Sequence, residues 1–178
     1  LIDLSSPKIM GILNVTPDSF YDGGSYKNET EIISQVEKMI AEGATFIDVG
    51  AYSSKPGAEF VSEEEELNRV LPVIDLILSN FPNVLLSIDT FRSKVAKQAI
   101  NKGAAIINDI SAGMLDDNML QTVAEMQVPY VMMHMKGTPQ TMQSLATYED
   151  VVKEVMFYFS ERINAARKLG INDVIVDP

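Results

Sequence analysis

One short pattern recurs along the chain and constrains its fold more than any other feature. Three segments read as the end of a helix, a glycine, a short apolar run and a carboxylate: AEGATFIDVGA, NKGAAIINDIS and KLGINDVIVDP. Gly43, Gly103 and Gly170 stand where a helix commonly ends in a left-handed residue. The pattern therefore predicts helices that each lead into a buried strand.

Three further apolar runs end in a polar residue in the same way, namely IMGILN, NVLLSIDTF and VPYVMMHM. The sequence thus predicts six strands, at about 9–14, 45–50, 84–89, 104–109, 129–134 and 173–177. The runs are almost continuously apolar rather than alternating, which is typical of a parallel sheet that is covered on both faces.

The segments between the strands have the features of helices. The sequence SEEE at 62–65 predicts a capping box that opens a helix to about Asn80, with Pro72 bending it. The sequence TYED at 147–150 predicts a similar start for a helix that ends before Gly170. The acidic run at 63–66 is interpreted as a solvated first turn favoured by the helix dipole, and not as a metal site.

Composition limits the class of protein and its partners. The 178 residues are 46% hydrophobic, enough for one sizeable core, and carry a net charge of −11. This charge argues against nucleic acid as a partner, and an anionic ligand would need a local cation such as a metal ion. The absence of cysteine excludes disulfides and thiolate metal sites. Without a signal-peptide pattern or a long apolar stretch, we expect a cytoplasmic protein that does not enter membranes.

Strands that alternate with helices indicate an α/β fold, either a doubly wound sheet or a (β/α)8 TIM barrel. No GxGxxG follows the first strand and no GxxxxGK[ST] occurs, so the nucleotide-binding sheets lose support. Polar residues at every strand end favour the barrel, in which chemistry lies at the carboxyl ends. These residues are Asn14, Asp48, Asp89, Asn108, Asp109, His134 and Asp177.

Six βα units cannot close a barrel of eight strands. We therefore expect residues 1–178 to form a single barrel domain that is incomplete at its C-terminal end. On this interpretation the chain supplies about the first six strands, and strands 7 and 8 are not present.

A ring of Asp and Asn side chains suits a flat heterocycle such as a pterin or guanine. Carboxylates accept paired hydrogen bonds, while Asn both donates and accepts. The alternative is that some of these residues only cap strand ends, and we prefer it for Asp48 and Asp109. Consecutive residues of a strand face opposite sides, so at most one of Asn108 and Asp109 faces the barrel mouth.

His134 is the only histidine, and we interpret it as a hydrogen-bonded structural residue. The chain has no further histidine or cysteine for a zinc site and no Gly-x-Ser-x-Gly elbow. Alternation places Met133 on the side of the strand opposite to Met132 and His134.

The motifs taken together resemble one known family. MGILNVTPDSFYDGG, FIDVGAYSSKPGA, LLSIDTFRSKVA, AIINDISAG, VMMHMKGTPQTMQ and IVDP follow one another at the six strand ends. This order is similar to that of dihydropteroate synthases, the folate-pathway transferases that sulfonamides inhibit. The likeness covers essentially the whole chain.

The resemblance implies a TIM barrel and a specific reaction. The family joins 6-hydroxymethyl-7,8-dihydropterin diphosphate to 4-aminobenzoate, with Mg²⁺ present, and releases diphosphate. It implies that Asp89, Asn108 and Asp177 hold the pterin edge, and that Ile110 and Met133 form apolar walls of that pocket.

The resemblance also implies roles near the diphosphate and the arylamine. Asn14 matches the Asn beside the diphosphate and its Mg²⁺. Two loops would close over the site, the first carrying Phe20 and Asp22 and the second carrying Ser54, Lys55 and Pro56. A homodimer of the kind common in the family is expected.

Two departures from the family pattern bear on activity. Lys55 stands where Arg is common, and Lys lacks the bidentate fork of Arg, so the diphosphate would be held differently. The family's strands 7 and 8 supply a Lys, a Ser and an Arg-x-His pair, which cannot be mapped onto this chain.

Three other functions are considered. One is the pterin-binding barrel of methyltetrahydrofolate-dependent corrinoid methyltransferases, which would not need the NVTPDSF or SKPG segments. Another is a relative that binds pterin without condensing it. The third is an interaction module, which would not explain polar residues at successive strand ends.

Overall fold

The computed structural model describes residues 2–15, 26–52 and 61–178, with side chains in the first helix described from residue 29 onward. Strands and helices alternate strictly within these ranges. In chain order they are β1 Ile9–Asn14, α1 Tyr26–Ala41, β2 Ala44–Gly50, α2 Glu63–Asn80, β3 Leu85–Asp89, α3 Ser93–Asn101, β4 Ile106–Asp109, α4 Met119–Met126, β5 Tyr130–Met133, α5 Val151–Lys168 and β6 Val174–Asp177. No helix in the described ranges is long and apolar enough to cross a membrane.

The six strands form one sheet in the order β1-β2-β3-β4-β5-β6, and every neighbouring pair is parallel. A doubly wound sheet reverses its strand order at a switch point, whereas successive strands of a (β/α)8 barrel follow chain order. The order therefore excludes the doubly wound alternative. The prediction that the chain supplies the first six strands of a TIM barrel is confirmed, and the predicted strand positions agree to within two residues.

The two faces of the sheet differ in what covers them. The face toward the helices carries the main apolar core, in which side chains such as Ile47, Leu86, Ile88 and Ile107 pack against α2, α3 and their neighbours. The opposite face is the barrel interior, where a smaller apolar cluster contains Phe46, Ile106 and Val131. The inner strands β2 to β5 are thus covered on both faces, which explains their continuous apolar sequence, whereas the outer strands β1 and β6 expose apolar side chains such as Ile12 and Val176.

The glycines and caps behave partly as the sequence predicts. Gly43, Gly103 and Gly170 have φ angles of 103°, 109° and 84°, as expected after a helix. Ser62 caps α2 by accepting a hydrogen bond from the Glu65 amide at 3.2 Å. Pro72 lies within α2, as predicted.

Two local predictions are wrong. The helix α5 begins at Val151 rather than near Thr147, because Asp150 is its N-cap and accepts from the Lys153 amide. The acidic run is not wholly solvated, since Glu66 is 0% exposed. Glu66 lies about one helical turn after the Ser62 cap, on the side of α2 that faces the sheet.

Asp109 organises the turn after β4 from the helix side of the sheet. One of its oxygens accepts from the amide and the hydroxyl of Ser111, and the other accepts from the Gly113 amide and the Tyr130 hydroxyl. Asp109, Ser111 and Tyr130 are each 0% exposed. This is the structural role that the sequence predicted for Asp109.

Tyr130→Phe should destabilise the fold by about 1–3 kcal/mol, because it leaves a buried carboxylate oxygen with one donor fewer. Chemical denaturation of the full-length protein would measure the loss. Tyr52→Phe is the matched control, since the Tyr52 hydroxyl accepts only an exposed hydrogen bond from Gln140 at 3.3 Å among the described contacts. Equal effects of the two substitutions would contradict the role of Asp109.

Candidate functional site

The carboxyl ends of four neighbouring strands bring polar side chains to one level of the barrel interior. Asn14 pairs with Gly50, Gly50 with Asp89, and Asp89 with Asn108. Paired residues of adjacent parallel strands face the same side of a sheet. Three of the predicted site residues, Asn14, Asp89 and Asn108, therefore lie in one row around Gly50.

Two further predicted residues lie one layer closer to the carboxyl edge. Met133 pairs with Asp177, whereas Asn108 pairs with Val131, which is two residues before Met133. Met133 is half-buried while Met132 is 0% exposed in the core facing the helices, so the predicted alternation is confirmed. Ile110 follows β4 directly and is half-buried. The described residues that the resemblance assigns to the pterin pocket are thus brought together at one end of the sheet.

Gly50 has no side chain, and this allows the side chains of Asn14 and Asp89 to approach each other over it. A methyl group there would lie 3.1 Å from Oδ2 of Asp89, 3.3 Å from its Cβ and 3.5 Å from Oδ1 of Asn14. The side chains of Asn14 and Asp89 therefore lean over Gly50 from the two neighbouring strands. Gly50 is not among the site residues predicted from the sequence, although its place at a strand end, two residues after Asp48, is a usable signal.

The interpretation of Asp48 as a strand-end cap is wrong. Asp48 pairs with Ser87 in the register, one layer below Asp89, and its Oδ2 accepts from Nδ2 of Asn108 at 3.0 Å. Asp48 is 5% exposed. It therefore lies inside the barrel and fixes the amide of Asn108, so that the other amide atom, Oδ1, is directed away from Asp48.

Two buried polar atoms at this level have no hydrogen-bond partner among the described residues. They are Oδ1 of Asp48 and Oγ of Ser87. Buried polar groups in native proteins are almost always hydrogen-bonded to protein, solvent or ligand. The floor of the site is consequently polar and suited to a ligand that donates hydrogen bonds.

Two carboxyl groups of the site have raised pKa values. Burial raises the pKa of Asp89 to about 8, and the negative charges of Asp48, Glu66 and Asp109 add to this effect. Burial also raises the pKa of Asp48, while the nearby Ser87 hydroxyl and the hydrogen bond from Asn108 act to lower it. A proton therefore binds readily to Asp89 near neutral pH, and a positively charged or hydrogen-bond-donating ligand can replace it.

His134 lies outside this row, in an aromatic environment. Its ring packs edge-on against Tyr158 with the centroids 4.9 Å apart and is 6.0 Å from the Tyr148 ring. Its backbone amide donates to the Asp177 carbonyl at 2.9 Å. These contacts agree with the predicted structural role.

Five predicted loop residues lie outside the described ranges, namely Phe20, Asp22, Ser54, Lys55 and Pro56. Their assigned roles stay predictions. Within the described ranges no group of three or more His, Cys, Asp and Glu residues could hold a metal ion. Asn14 offers a single amide oxygen, which fits Mg²⁺ only where the ion takes its other ligands from water and phosphate.

Comparisons with known proteins agree with this geometry. The family model described as "Pterin binding enzyme" matches residues 10–178. The folic acid synthesis protein fol1 of Schizosaccharomyces pombe is 51% identical over 172 residues, which cover 95% of this chain and 23% of that protein.

Two solved structures are similar over almost the whole chain. The Yersinia pestis dihydropteroate synthase with a sulfonamide drug has a TM-score of 0.89 and 40% identity, covering 99% of this chain and 64% of that one. The Xanthomonas albilineans dihydropteroate synthase with 4-aminobenzoic acid has a TM-score of 0.86 and 41% identity, covering 98% and 62%. The chain therefore spans less than two thirds of the length of these relatives.

Asp48→Asn should lower the pKa of Asp89 below about 8, because it removes a negative charge from the layer beneath. A carboxyl-carbon NMR titration of the full-length protein would measure the shift. Asp173→Asn is the control, since Asp173 is exposed at the opposite, amino end of β6. An unchanged Asp89 midpoint in Asp48→Asn would contradict the electrostatic coupling.

Proposed function

The chain belongs to the pterin-binding enzyme family, and we propose that it acts as a dihydropteroate synthase. The observation that carries the proposal is the interior row of Asn14, Asp89 and Asn108 around Gly50, with Met133 and Asp177 one layer above it. Both of the similar solved structures are dihydropteroate synthases, and this similarity supports the same reaction.

The row is chemically suited to the edge of a pterin. The ring presents a 2-amino group and ring N–H groups as donors, and ionised carboxylates accept such donors in pairs. Asp89 and Asp177 supply these acceptors. The amide of Asn108, held by Asp48, supplies an oriented group between them, while Met133 and Ile110 offer apolar surface to the ring faces.

The raised pKa of Asp89 favours a ring that carries positive charge. Protonated Asp89 loses its proton when donors or a cation approach, since either one stabilises the carboxylate. The proposed reaction develops such a cation when the bond between the pterin methylene carbon and the diphosphate oxygen breaks. Asp89, together with Asp48 one layer below it and Asp177 one layer above it, lowers the free energy of that cation by electrostatic stabilisation.

The reaction then proceeds by attack of the arylamine. The electron pair of the broken C–O bond leaves with diphosphate, the amine nitrogen of 4-aminobenzoate forms the new C–N bond, and the amine releases a proton. No strong base is needed for this sequence. The chain's task is to orient the two substrates and to exclude water.

The diphosphate end of the site is proposed to lie at Asn14, which is exposed at the end of β1. Mg²⁺, when bound there, would neutralise the leaving diphosphate, with Asn14 as its protein ligand. The loop residues Phe20, Asp22, Ser54, Lys55 and Pro56 are proposed to close over diphosphate and arylamine. The homodimer and the contributions of strands 7 and 8 stay predictions from the resemblance, and the cytoplasmic location stays a prediction from the sequence composition.

The full-length protein should convert the pterin diphosphate and 4-aminobenzoate to dihydropteroate, and Asp89→Asn should abolish this. The substitution removes a carboxylate that accepts from the ring, and we expect pterin affinity to fall by a factor of about 10–100, or about 1.4–2.7 kcal/mol. Calorimetry with a pterin diphosphate analogue and Mg²⁺ measures the affinity, and product chromatography measures the activity.

The same experiment separates the alternatives. Pterin binding without condensation would identify a non-catalytic relative. Methyl transfer from methyltetrahydrofolate to a corrinoid would identify the other pterin-binding enzyme class. Failure to bind any pterin would contradict the proposed function and would leave only the assignment of the barrel fold.

Gly50→Ala should weaken binding of the pterin analogue by about tenfold, or about 1.4 kcal/mol. The added methyl group would lie 3.1 Å from Oδ2 of Asp89 and displace it. Gly43→Ala is the matched control, since a methyl group there has nothing within 4 Å, but φ of 103° strains it. We expect that control to lose stability and keep its affinity, and the reverse pattern would contradict the role of Gly50.

A further inference from the structure

We propose that Glu66, Thr90 and Arg92 form a positioning network that holds the end of β3, and with it Asp89, against the first turn of α2. The inference rests on the proposed role of Asp89 in pterin binding. None of the three residues belongs to the interior row. They act on Asp89 indirectly, by fixing the backbone that follows it and by placing the charge of Glu66 near it.

Glu66 is the centre of the network. It is 0% exposed, on the first turn of α2, and its two oxygens are used separately. Oε1 accepts from the Thr90 hydroxyl at 2.6 Å, and Oε2 pairs with Nη1 of Arg92. Burial raises the pKa of Glu66, while Thr90 and Arg92 oppose this. The carboxylate is therefore held in one orientation by two different partners.

Thr90 connects the network to the site. It follows Asp89 directly and is 2% exposed. Its backbone amide donates to the Asn108 carbonyl at 3.0 Å, and its hydroxyl both donates to Glu66 and accepts from the Arg92 amide at 3.2 Å. The residue next to Asp89 is thus tied to both α2 and the strand that carries Asn108.

Arg92 extends the same contacts across the carboxyl edge. While Nη1 pairs with Glu66, Nη2 donates to the Val61 carbonyl at 2.6 Å. The guanidinium carbon lies 5.3 Å from the Tyr52 ring centre and 5.1 Å from that of Phe91. A planar fork makes these contacts together, and a lysine ammonium cannot. Arg92 thereby joins the end of β3 to residues on both sides of segment 53–60.

The cost of the network argues that it has more than a stabilising role. A buried ion pair loses hydration, and apolar residues of similar volume often stabilise a fold as well or better. The contacts between α2 and α3 do not require it, since apolar residues from both helices share the main core. What the charged network adds is a fixed orientation next to Asp89, together with a negative charge that helps raise the pKa of Asp89.

The chain supplies a matched control pair between the same two segments. Lys94 and Glu63 join the start of α3 to the start of α2 at 3.0 Å, but their side chains are 60% and 38% exposed. An exposed pair of this kind contributes little, about 0–1 kcal/mol. It tests whether any ion pair here affects the site.

The experiment compares Thr90→Val, Thr90→Ser and Arg92→Lys with the control Glu63→Gln/Lys94→Gln in the full-length protein. The Kd of a pterin diphosphate analogue, kcat, the KM of each substrate and the unfolding midpoint are measured. We expect Thr90→Val and Arg92→Lys to raise the pterin Kd by about 5–30-fold, the range for a perturbed charged hydrogen bond. Thr90→Ser should recover the affinity to within about threefold, since it keeps the hydroxyl.

A purely structural role predicts a different result. The unfolding midpoint would then fall in Thr90→Val and Arg92→Lys, while the Kd of the folded protein and the KM of the pterin would match those of the control pair. That result overturns the proposal. If Thr90→Val does not fold, Arg92→Lys decides by the same comparison, and if neither folds at 25 °C the network is structural and the proposal is wrong.

Asp89→Asn separates this inference from the proposed function. If Asp89→Asn weakens pterin binding as expected and the network variants leave it unchanged, only the positioning role fails. If Asp89→Asn itself leaves binding unchanged, the proposed role of Asp89 fails first.

Discussion

The register of the parallel sheet is the constraint on which the rest of the structure depends. The last residues of β1, β2 and β3 pair with one another, and Asp89 at the end of β3 pairs with Asn108, the residue before the end of β4, so that Asn14, Gly50, Asp89 and Asn108 share one level. A slip of one residue in any strand would turn its polar end toward the apolar core. Apolar side chains on the helix side hold this register, and the site therefore depends directly on the core.

The carboxyl edge is also held by polar side chains from the helices. Arg69 on α2 donates to the Ala51 carbonyl at 3.4 Å. The single hydroxyl hydrogen of Tyr158 on α5 is shared between the Ser111 and Met133 carbonyls, which lie 3.1 and 3.3 Å from its oxygen. Arg162 donates to the Ala112 carbonyl at 2.9 Å, where φ is 50°. Strand ends and turns have carbonyls that the ladder cannot satisfy. Donors from the helices satisfy them and fix the turns from which site residues project.

The elements and the end of the sheet that carries the site could be predicted from sequence, because glycines, caps and apolar runs are local signals. The failures concern relations between segments distant in sequence. Asp48 and Asp109 look alike at strand ends, but alternation and the neighbouring strand put Asp48 inside beside Asn108 and Asp109 outside beside Tyr130. In the sequence, Glu66 is one of four consecutive glutamates and has no distinguishing feature. Only the three-dimensional structure, in which Glu66 accepts a hydrogen bond from Thr90, sets it apart from the other three.

The interior row and the network of Glu66, Thr90 and Arg92 both contribute to the electrostatics of the proposed reaction. Negative charge is concentrated where a pterin cation would form, at Asp48, Asp89 and the buried Glu66. Arg92 forms an ion pair with Glu66 and is not part of the interior row. The anionic leaving group needs the opposite sign of charge, and the acidic row cannot supply it. On the proposed function, the diphosphate is therefore expected to point outward, toward Asn14 at the exposed end of β1, so that the two developing charges form at separate ends of one site.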